Sequence, residues 1–121
     1  MANRRIEQGI KQACIHRLLY YENDARYKLT FYPTPSFKIP YQGRNGQAYA
    51  AAAGRKGCPD LTVCMFGYFI GFELKQPGET PKPHQVEFAQ KIAAARGRCY
   101  TITGVDELHE IIEDLRKTFS T

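Results

Sequence analysis

Two acidic residues and a lysine stand at the ends of two neighbouring apolar segments. Asp60 opens the first segment, and Glu73 and Lys75 close the second. Alternate residues of a strand share a face, so Glu73 and Lys75 are expected to point the same way. If the segments pair antiparallel through the intervening Phe66–Gly67 turn, Asp60 lies beside Glu73. The spacing therefore predicts two carboxylates and one amine at a single strand end.

This grouping has two chemical interpretations. A carboxylate at the end of an apolar strand is costly to remove from water unless a charge compensates it, and Lys75 could do so as a structural ion pair with Glu73. Alternatively, two carboxylates with access to water are the donors that Mg²⁺ prefers. Geometry alone leaves the ion pair and the metal site equally open.

Two further polar residues favour the metal site. Gln85 opens the next helix, three residues before Phe88 and seven before Ile92, so its amide is expected to face inward near Lys75. Glu7 lies at the edge of the apolar stripe of the first helix. The alternatives are a satisfied buried glutamine and an acid placed to suit the helix dipole. Polar residues from four segments would converge on one pocket, and this convergence favours a metal site over these alternatives.

The hydrophobic periodicity predicts an α/β protein with the order helix, two strands, two strands, helix, strand, helix. The predicted helices are Arg4–Tyr21, Pro83–Arg96 and Val105–Phe119, and the predicted strands are Lys28–Tyr32, Phe37–Tyr41, Leu61–Met65, Tyr68–Lys75 and Cys99–Thr103. The first two strands are candidates for a hairpin. The expected buried stripes are Ile6, Ile10, Cys14 and Leu18 in the first helix and Phe88, Ala89, Ile92 and Ala93 in the second.

The segment Gln42–Gly57 is rich in glycine and alanine, and we expect a mobile loop there, with a helical turn at Ala50–Ala53 as the alternative. No repeat or long linker divides the chain, and 121 residues suit one domain, 1–121. The start shows no signal peptide and no run spans a membrane, so a cytoplasmic location is expected. Four cysteines without a C-x-x-C pair indicate reduced, mostly buried thiols rather than a zinc site.

The net charge of +5 indicates attraction to polyanions, and the acidic last helix requires the positive charge to concentrate elsewhere. Candidates for phosphate contacts are Arg44, Arg55 and Lys56 in the glycine-rich segment, and Lys82 beside the second helix. The alternative is a solvated basic loop with no ligand.

The full pattern resembles a known family. Its parts are Glu7, the segment Gly57-Cys58-Pro59-Asp60-Leu61, the segment Phe72-Glu73-Leu74-Lys75, and Gly78 through Gln85. This pattern is similar to the VRR-NUC family, the virus-type replication–repair branch of the PD-(D/E)xK nucleases, in its stand-alone phage and bacterial form. The resemblance implies a restriction-endonuclease-like α/β core. In it, helices flank a mixed central sheet in α-β-β-β-α-β order, with a C-terminal helix added.

The resemblance implies a divalent-metal-dependent deoxyribonuclease that uses Mg²⁺ or Mn²⁺. Asp60 and Glu73 would be metal ligands together with the Leu74 carbonyl, and Lys75 would contact the attacking water and the scissile phosphate. The implied catalytic set is Asp60, Glu73, Lys75, Gln85 and Glu7, and the implied metal set is Asp60, Glu73, Leu74 and Glu7. Family members often place Ser or Thr before the proline that opens the second helix. Here Pro81-Lys82-Pro83 fills that stretch, so Thr80 is expected to cap the helix.

The resemblance also implies a homodimer that cuts branched DNA such as four-way junctions in replication, recombination or repair, in the cytoplasm of a bacterium or a phage-infected host. It implies neither a membrane nor a small-molecule cofactor. Two alternatives stay open: a nucleic-acid-binding module that has lost catalysis, and a restriction-type endonuclease that recognises a fixed sequence.

Overall fold

The computed structural model describes residues 2–34, 38–42, 48–52 and 57–120. Within these residues there are three α-helices, six strands and a short 3-10 helix, Ala25–Tyr27, which follows the first α-helix. The elements are α1 Ala2–Glu22, β1 Leu29–Pro33, β2 Lys38–Gln42, β3 Ala48–Ala52, β4 Leu61–Met65, β5 Tyr68–Leu74, α2 Pro83–Ala94, β6 Arg98–Ile102 and α3 Val105–Phe119.

Four strands form the main sheet in the order β1-β4-β5-β6. β4 pairs antiparallel with both β1 and β5, whereas β5 and β6 are parallel and α2 makes the crossover between them. With the β2–β3 pair set aside, the order is α-β-β-β-α-β with a final helix. The predicted mixed sheet and element order are therefore confirmed.

The pairing of the first strands differs from the prediction. β1 does not form a hairpin with β2 and pairs along its whole length with β4 instead. β2 instead pairs antiparallel with β3 in a separate two-stranded sheet. The segment Ala48–Ala52 is thus a strand rather than a loop or helical turn, since pairing overrides the low strand preference of alanine. Residues 43–47 and 53–56 lie outside the described residues.

The core forms where α1 and α3 pack on the sheet and on each other. Cys14, Leu18 and Tyr21 of α1 are fully buried, and the Tyr21 hydroxyl is hydrogen-bonded to His109 of α3. Ile6 is 47% exposed, so the predicted stripe is wrong at that end. The reason is that the first turns of α1 extend beyond the core and form one wall of a groove.

The buried face of α2 is also narrower than predicted. Ile92 is buried, Phe88 and Ala89 are half-buried, and Ala93 is exposed. α2 packs mainly against β6, an edge strand of the main sheet, which covers only part of the helix. Its apolar stripe is therefore left partly uncovered.

The four cysteines are free thiols, as expected. Cys14 is buried and Cys58 and Cys99 are half-buried, but Cys64 is exposed, so burial was predicted wrongly for one of them. Among the described helices, none has the length and apolar character needed to cross a membrane.

Candidate active site

Asp60 and Glu73 face each other where β4 begins and β5 ends. β4 and β5 pair Leu61 with Phe72, and extending that register by one residue places Asp60 opposite Glu73. The Asp60 carboxylate accepts a hydrogen bond at 2.8 Å from the backbone N–H of Leu74. The strand pairing that the sequence predicts therefore does bring the two acids together.

The two carboxylates are not directly paired with a basic side chain among the described residues. Glu73 is only 9% exposed. Burial, followed by the hydrogen bond and the charge repulsion of Asp60, raises the pKa of Glu73 from 4.5 to about 8, although Lys75 acts in the opposite direction. Within the described residues, no ion pair closer than 4.0 Å includes Lys75. The arrangement is thus not a Glu73–Lys75 ion pair, and it favours either a proton or a cation between the acids.

Gln85 holds the Glu73 carboxylate from the first turn of α2. Its Nε2 donates to Glu73 Oε1 at 2.8 Å, and its Oε1 accepts from the backbone N–H of Lys82, also at 2.8 Å. Because a flipped amide would set two donors against each other at Lys82, this network fixes the amide orientation. The cap of α2 is Lys82 rather than the predicted Thr80. Gln85, three residues after the cap, accepts the hydrogen bond of the Lys82 backbone N–H with its side chain, which is one half of a capping box.

A groove of about 1040 Å³ contains this pair. It brings together every predicted site residue that the structure describes, namely Glu7, Asp60, Glu73, Leu74, Lys75, Lys82 and Gln85. Lys75 is only 6% exposed, and its backbone N–H donates to the carbonyl of Ile102 on β6 at 2.9 Å. The other predicted phosphate contacts, Arg44, Arg55 and Lys56, lie outside the described residues.

A third lysine lines this groove and was not predicted from the sequence. Lys11 lines it from α1, and its Nζ donates to the carbonyl of Thr34 at 3.3 Å. Thr34 also donates its backbone N–H to the Asp60 carbonyl at 2.8 Å and its hydroxyl to the Pro59 carbonyl. Lys11 follows Glu7 by one helical turn, so the spacing that placed Glu7 beside the site could also have identified Lys11.

Two glycines allow the segment before Asp60 to pack closely between β5 and α2. Gly57 has a φ of 85°, and a Cβ there would lie 2.3 Å from the His84 carbonyl oxygen. At Gly71 on β5, a Cβ would lie 2.4 Å from Cγ of Pro59. Both contacts are closer than a side chain tolerates, so these glycines help to set the position of Asp60.

The donor set fits a divalent cation. Mg²⁺ is usually bound through one or two carboxylates and keeps several waters, and Asp60 and Glu73 present two carboxylates in a groove. In residues 2–34, 38–42, 48–52 and 57–120 no three His, Cys, Asp or Glu side chains are grouped closely enough to hold a metal ion. The roles of Leu74 and Glu7 as further ligands stay predictions.

Comparison with known proteins identifies a solved structure with a similar fold. No protein-family model matches the sequence, and no curated protein matches it. A solved structure described as "VRR_NUC domain" is similar, with a TM-score of 0.61 over 89% of this chain and 95% of that chain, at 17% sequence identity. At 17% sequence identity, this similarity is evidence for a shared fold. The chain has the fold of a VRR_NUC domain, as the resemblance in the sequence implied.

Proposed function

We propose that this protein is a divalent-metal-dependent nuclease that hydrolyses phosphodiester bonds in DNA. The observation that carries the proposal is the pair of facing carboxylates, Asp60 and Glu73, beside Lys75. Lys11 and Lys82 line the same groove and provide positive charge for a polyanionic substrate. The VRR_NUC fold supports this reaction class over a binding module, because the D…E-x-K residues of such nucleases are all present.

The proposed mechanism assigns a task to each of these side chains. Asp60 and Glu73 would hold Mg²⁺ or Mn²⁺, which supplies a bound water of lowered pKa and charge neutralisation at the phosphate. Gln85 keeps the Glu73 carboxylate oriented. Lys75 orients the attacking water in line with the scissile bond and offsets the negative charge that develops on the phosphate. The products would be a 5′-phosphate and a 3′-hydroxyl.

The test is cleavage of linear, flapped and four-way DNA with Mg²⁺ or Mn²⁺, with and without a chelator. Chelation should abolish cutting. Lys75→Ala should reduce the cleavage rate by at least about 100-fold because an electrostatic partner of the transition state is lost. DNA binding, measured by fluorescence anisotropy, should change little. The matched control is Lys91→Ala, an exposed lysine paired with Glu87 on α2, which should cut normally.

One result would contradict the proposal, and a second would change the substrate assigned to the nuclease. DNA binding without cleavage under any divalent ion would identify a binding module instead. Cleavage of linear duplex at one fixed sequence, with no preference for branches, would keep the nuclease but favour the restriction-type alternative.

We further propose that the protein acts as a homodimer on branched DNA such as four-way junctions. Symmetric incision of a junction needs two active sites, and one chain supplies one set of Asp60, Glu73 and Lys75. Light scattering at assay concentration should give twice the chain mass. A monomer that still cuts junctions at paired positions would exclude this arrangement.

A further inference from the structure

A second cavity, of about 280 Å³, lies between α2 and the strands β5 and β6. Its lining is mostly apolar and includes Val86, Ala89 and Ala93 of α2 and the residues Cys99 and Tyr100 of β6. Glu73 and Gln85 line this cavity and also the groove. The hydrogen bond between these two side chains therefore forms part of the wall that separates the two spaces.

The wall of the cavity that the strands form is held in place by packing in the core. On the core face of the sheet, the Tyr100 ring stacks on the fully buried Phe72 with 5.8 Å between ring centroids, so packing behind the strands holds this wall in place. On the other wall, Val86 is 43% exposed, and the two alanines are too small to close the gap. Gln90 and Thr101 add polar groups to the lining.

We propose that this cavity receives an unpaired nucleobase from the nucleotide next to the scissile phosphate. The proposal rests on the proposed nuclease function. Phosphate and base belong to one nucleotide and are joined only by its sugar, and here a phosphate groove and an apolar cavity share one wall. A base offers a flat apolar surface and a polar edge, which suits a lining of this composition.

The size of the cavity limits what it can hold. Ligand pockets are typically about 300–1,000 Å³, so a cavity of about 280 Å³ suits one heterocycle and not a stretch of duplex. A base taken from the stack must first lose its pairing. The enzyme is therefore expected to prefer DNA in which the nucleotide beside the cut is already unpaired.

The experiment fills the cavity from its exposed rim. The probe is the DNA from the cleavage panel that the wild type cuts fastest, with 2-aminopurine at the nucleotides flanking the mapped cut. Wild-type protein should raise the 2-aminopurine fluorescence before cleavage. Ala93→Phe should abolish that rise and lower the cleavage rate roughly tenfold, because the base can no longer enter the cavity. Ala94→Phe, one residue along α2 and outside the cavity lining, is the matched control and should behave as wild type.

An abasic substrate separates base recognition from a general loss of structure. With no base at the flanking nucleotide, wild type and Ala93→Phe should cut at the same rate, because nothing is left to enter the cavity. Circular dichroism checks folding. If Ala93→Phe does not fold, Val86→Ala removes part of the wall from an exposed position and should weaken cutting of the intact substrate only.

The outcomes separate this inference from the proposed function. If the wild type cuts no DNA with any divalent ion, the proposed function fails. If the wild type cuts, but 2-aminopurine stays quenched and Ala93→Phe is as fast as wild type, the base site is wrong and the nuclease stands. A change in oligomeric mass caused by Ala93→Phe in the absence of DNA would instead assign the cavity to a second copy of the chain.

Discussion

Gln85 shows how one side chain serves both the fold and the site. Its carbonyl oxygen accepts from the Lys82 backbone at the start of α2, and this leaves its amide group to donate to Glu73. The helix cap thus determines which end of the amide reaches the carboxylate. A glutamate at this position would keep the cap but place a third negative charge beside Asp60 and Glu73.

The buried carboxyl of Glu73 predicts a pH dependence of stability in the absence of metal. Its pKa is raised from 4.5 to about 8, so between these values the folded protein binds more protons than the unfolded chain. Its contribution to stability should therefore fall as pH rises from about 5 to 8. Thermal denaturation in EDTA should show a weaker decline with pH for Glu73→Gln than for wild type.

The control for this measurement is Glu110→Gln, an exposed acid on α3, which should keep the wild-type decline. Parallel curves for wild type and Glu73→Gln would contradict the assignment of the titration to this carboxyl.

Lys11 predicts a specific effect on the salt dependence of DNA binding. Each lysine that neutralises a phosphate releases a counterion, so Lys11→Ala should reduce the slope of log K against log salt by about 1. Anisotropy titrations at several salt concentrations measure the slope. Lys91→Ala should leave it unchanged, and an unchanged slope for Lys11→Ala would place Lys11 outside the DNA interface.

At the scale of elements, the close approach of the Pro59 loop to β5 depends on Gly71. Gly71→Ala would bring a Cβ within 2.4 Å of Pro59 Cγ and 2.9 Å of Cys99 Sγ, so the loop or the strand must shift. We expect a loss of roughly 1–3 kcal/mol in the free energy of unfolding, as for overpacked cores. Urea denaturation measures this loss, and cleavage should fall because Asp60 moves with the loop.

Gly9→Ala is the matched control for this substitution. A Cβ at Gly9 meets nothing within 4 Å, and alanine is favoured over glycine inside a helix by about 1 kcal/mol. Gly9→Ala should therefore stabilise the protein. Equal stability for the two variants would show that Pro59 accommodates the extra carbon.

The elements that could be predicted are those with strong local patterns. β4, β5, α2, β6 and α3 follow from periodicity, and the tight Phe66–Gly67 turn makes the β4–β5 pairing local, so the facing acids could be predicted. The partner of β1 could not, because it is β4, some 30 residues away by sequence position. β3 was missed for a related reason: its alanines form a strand only through pairing with β2.

The same distinction applies to the site. Residues that extend from predicted strand ends, Asp60, Glu73 and Lys75, could be placed from spacing alone. Lys11 lies one helical turn after Glu7, so its spacing suggests a place beside the site, but whether it reaches the groove depends on how α1 packs against the sheet. The helix cap was assigned to Thr80 from a preference for hydroxyl side chains. In the structure, the hydrogen bond at the start of α2 is instead accepted by the side chain of Gln85, which lies inside the helix.

At the scale of the whole molecule, charge is unevenly distributed. α3 carries Asp106 and Glu107 in its first turn and further acids along its length, whereas the groove combines three lysines with four acids: Lys11, Lys75, Lys82, Glu7, Asp60, Glu73 and Glu79. A divalent cation held by Asp60 and Glu73 would make the groove net positive, and a polyanion is then expected to approach from the groove side.

A bound metal should stabilise the entire fold, because Asp60 and Glu73 lie on different strands. Mn²⁺ at about 100 times its dissociation constant should add about 2.7 kcal/mol to the free energy of unfolding. For a chain of 121 residues this should raise the melting temperature by several degrees. Differential scanning calorimetry of wild type and Asp60→Asn measures the effect, which should be absent in the variant. A similar rise in both would show that the metal binds elsewhere.

The wall formed by Glu73 and Gln85 has a thermodynamic consequence. If the same two side chains contact whatever lies in the groove and whatever lies in the cavity, occupancy of either space changes the free energy of filling the other. Such coupling is reciprocal: an unpaired base that strengthens metal binding by some factor must itself be bound more tightly by that factor when the metal is present. Damage or branching beside the cut would then act as an effector of the reaction as well as its substrate.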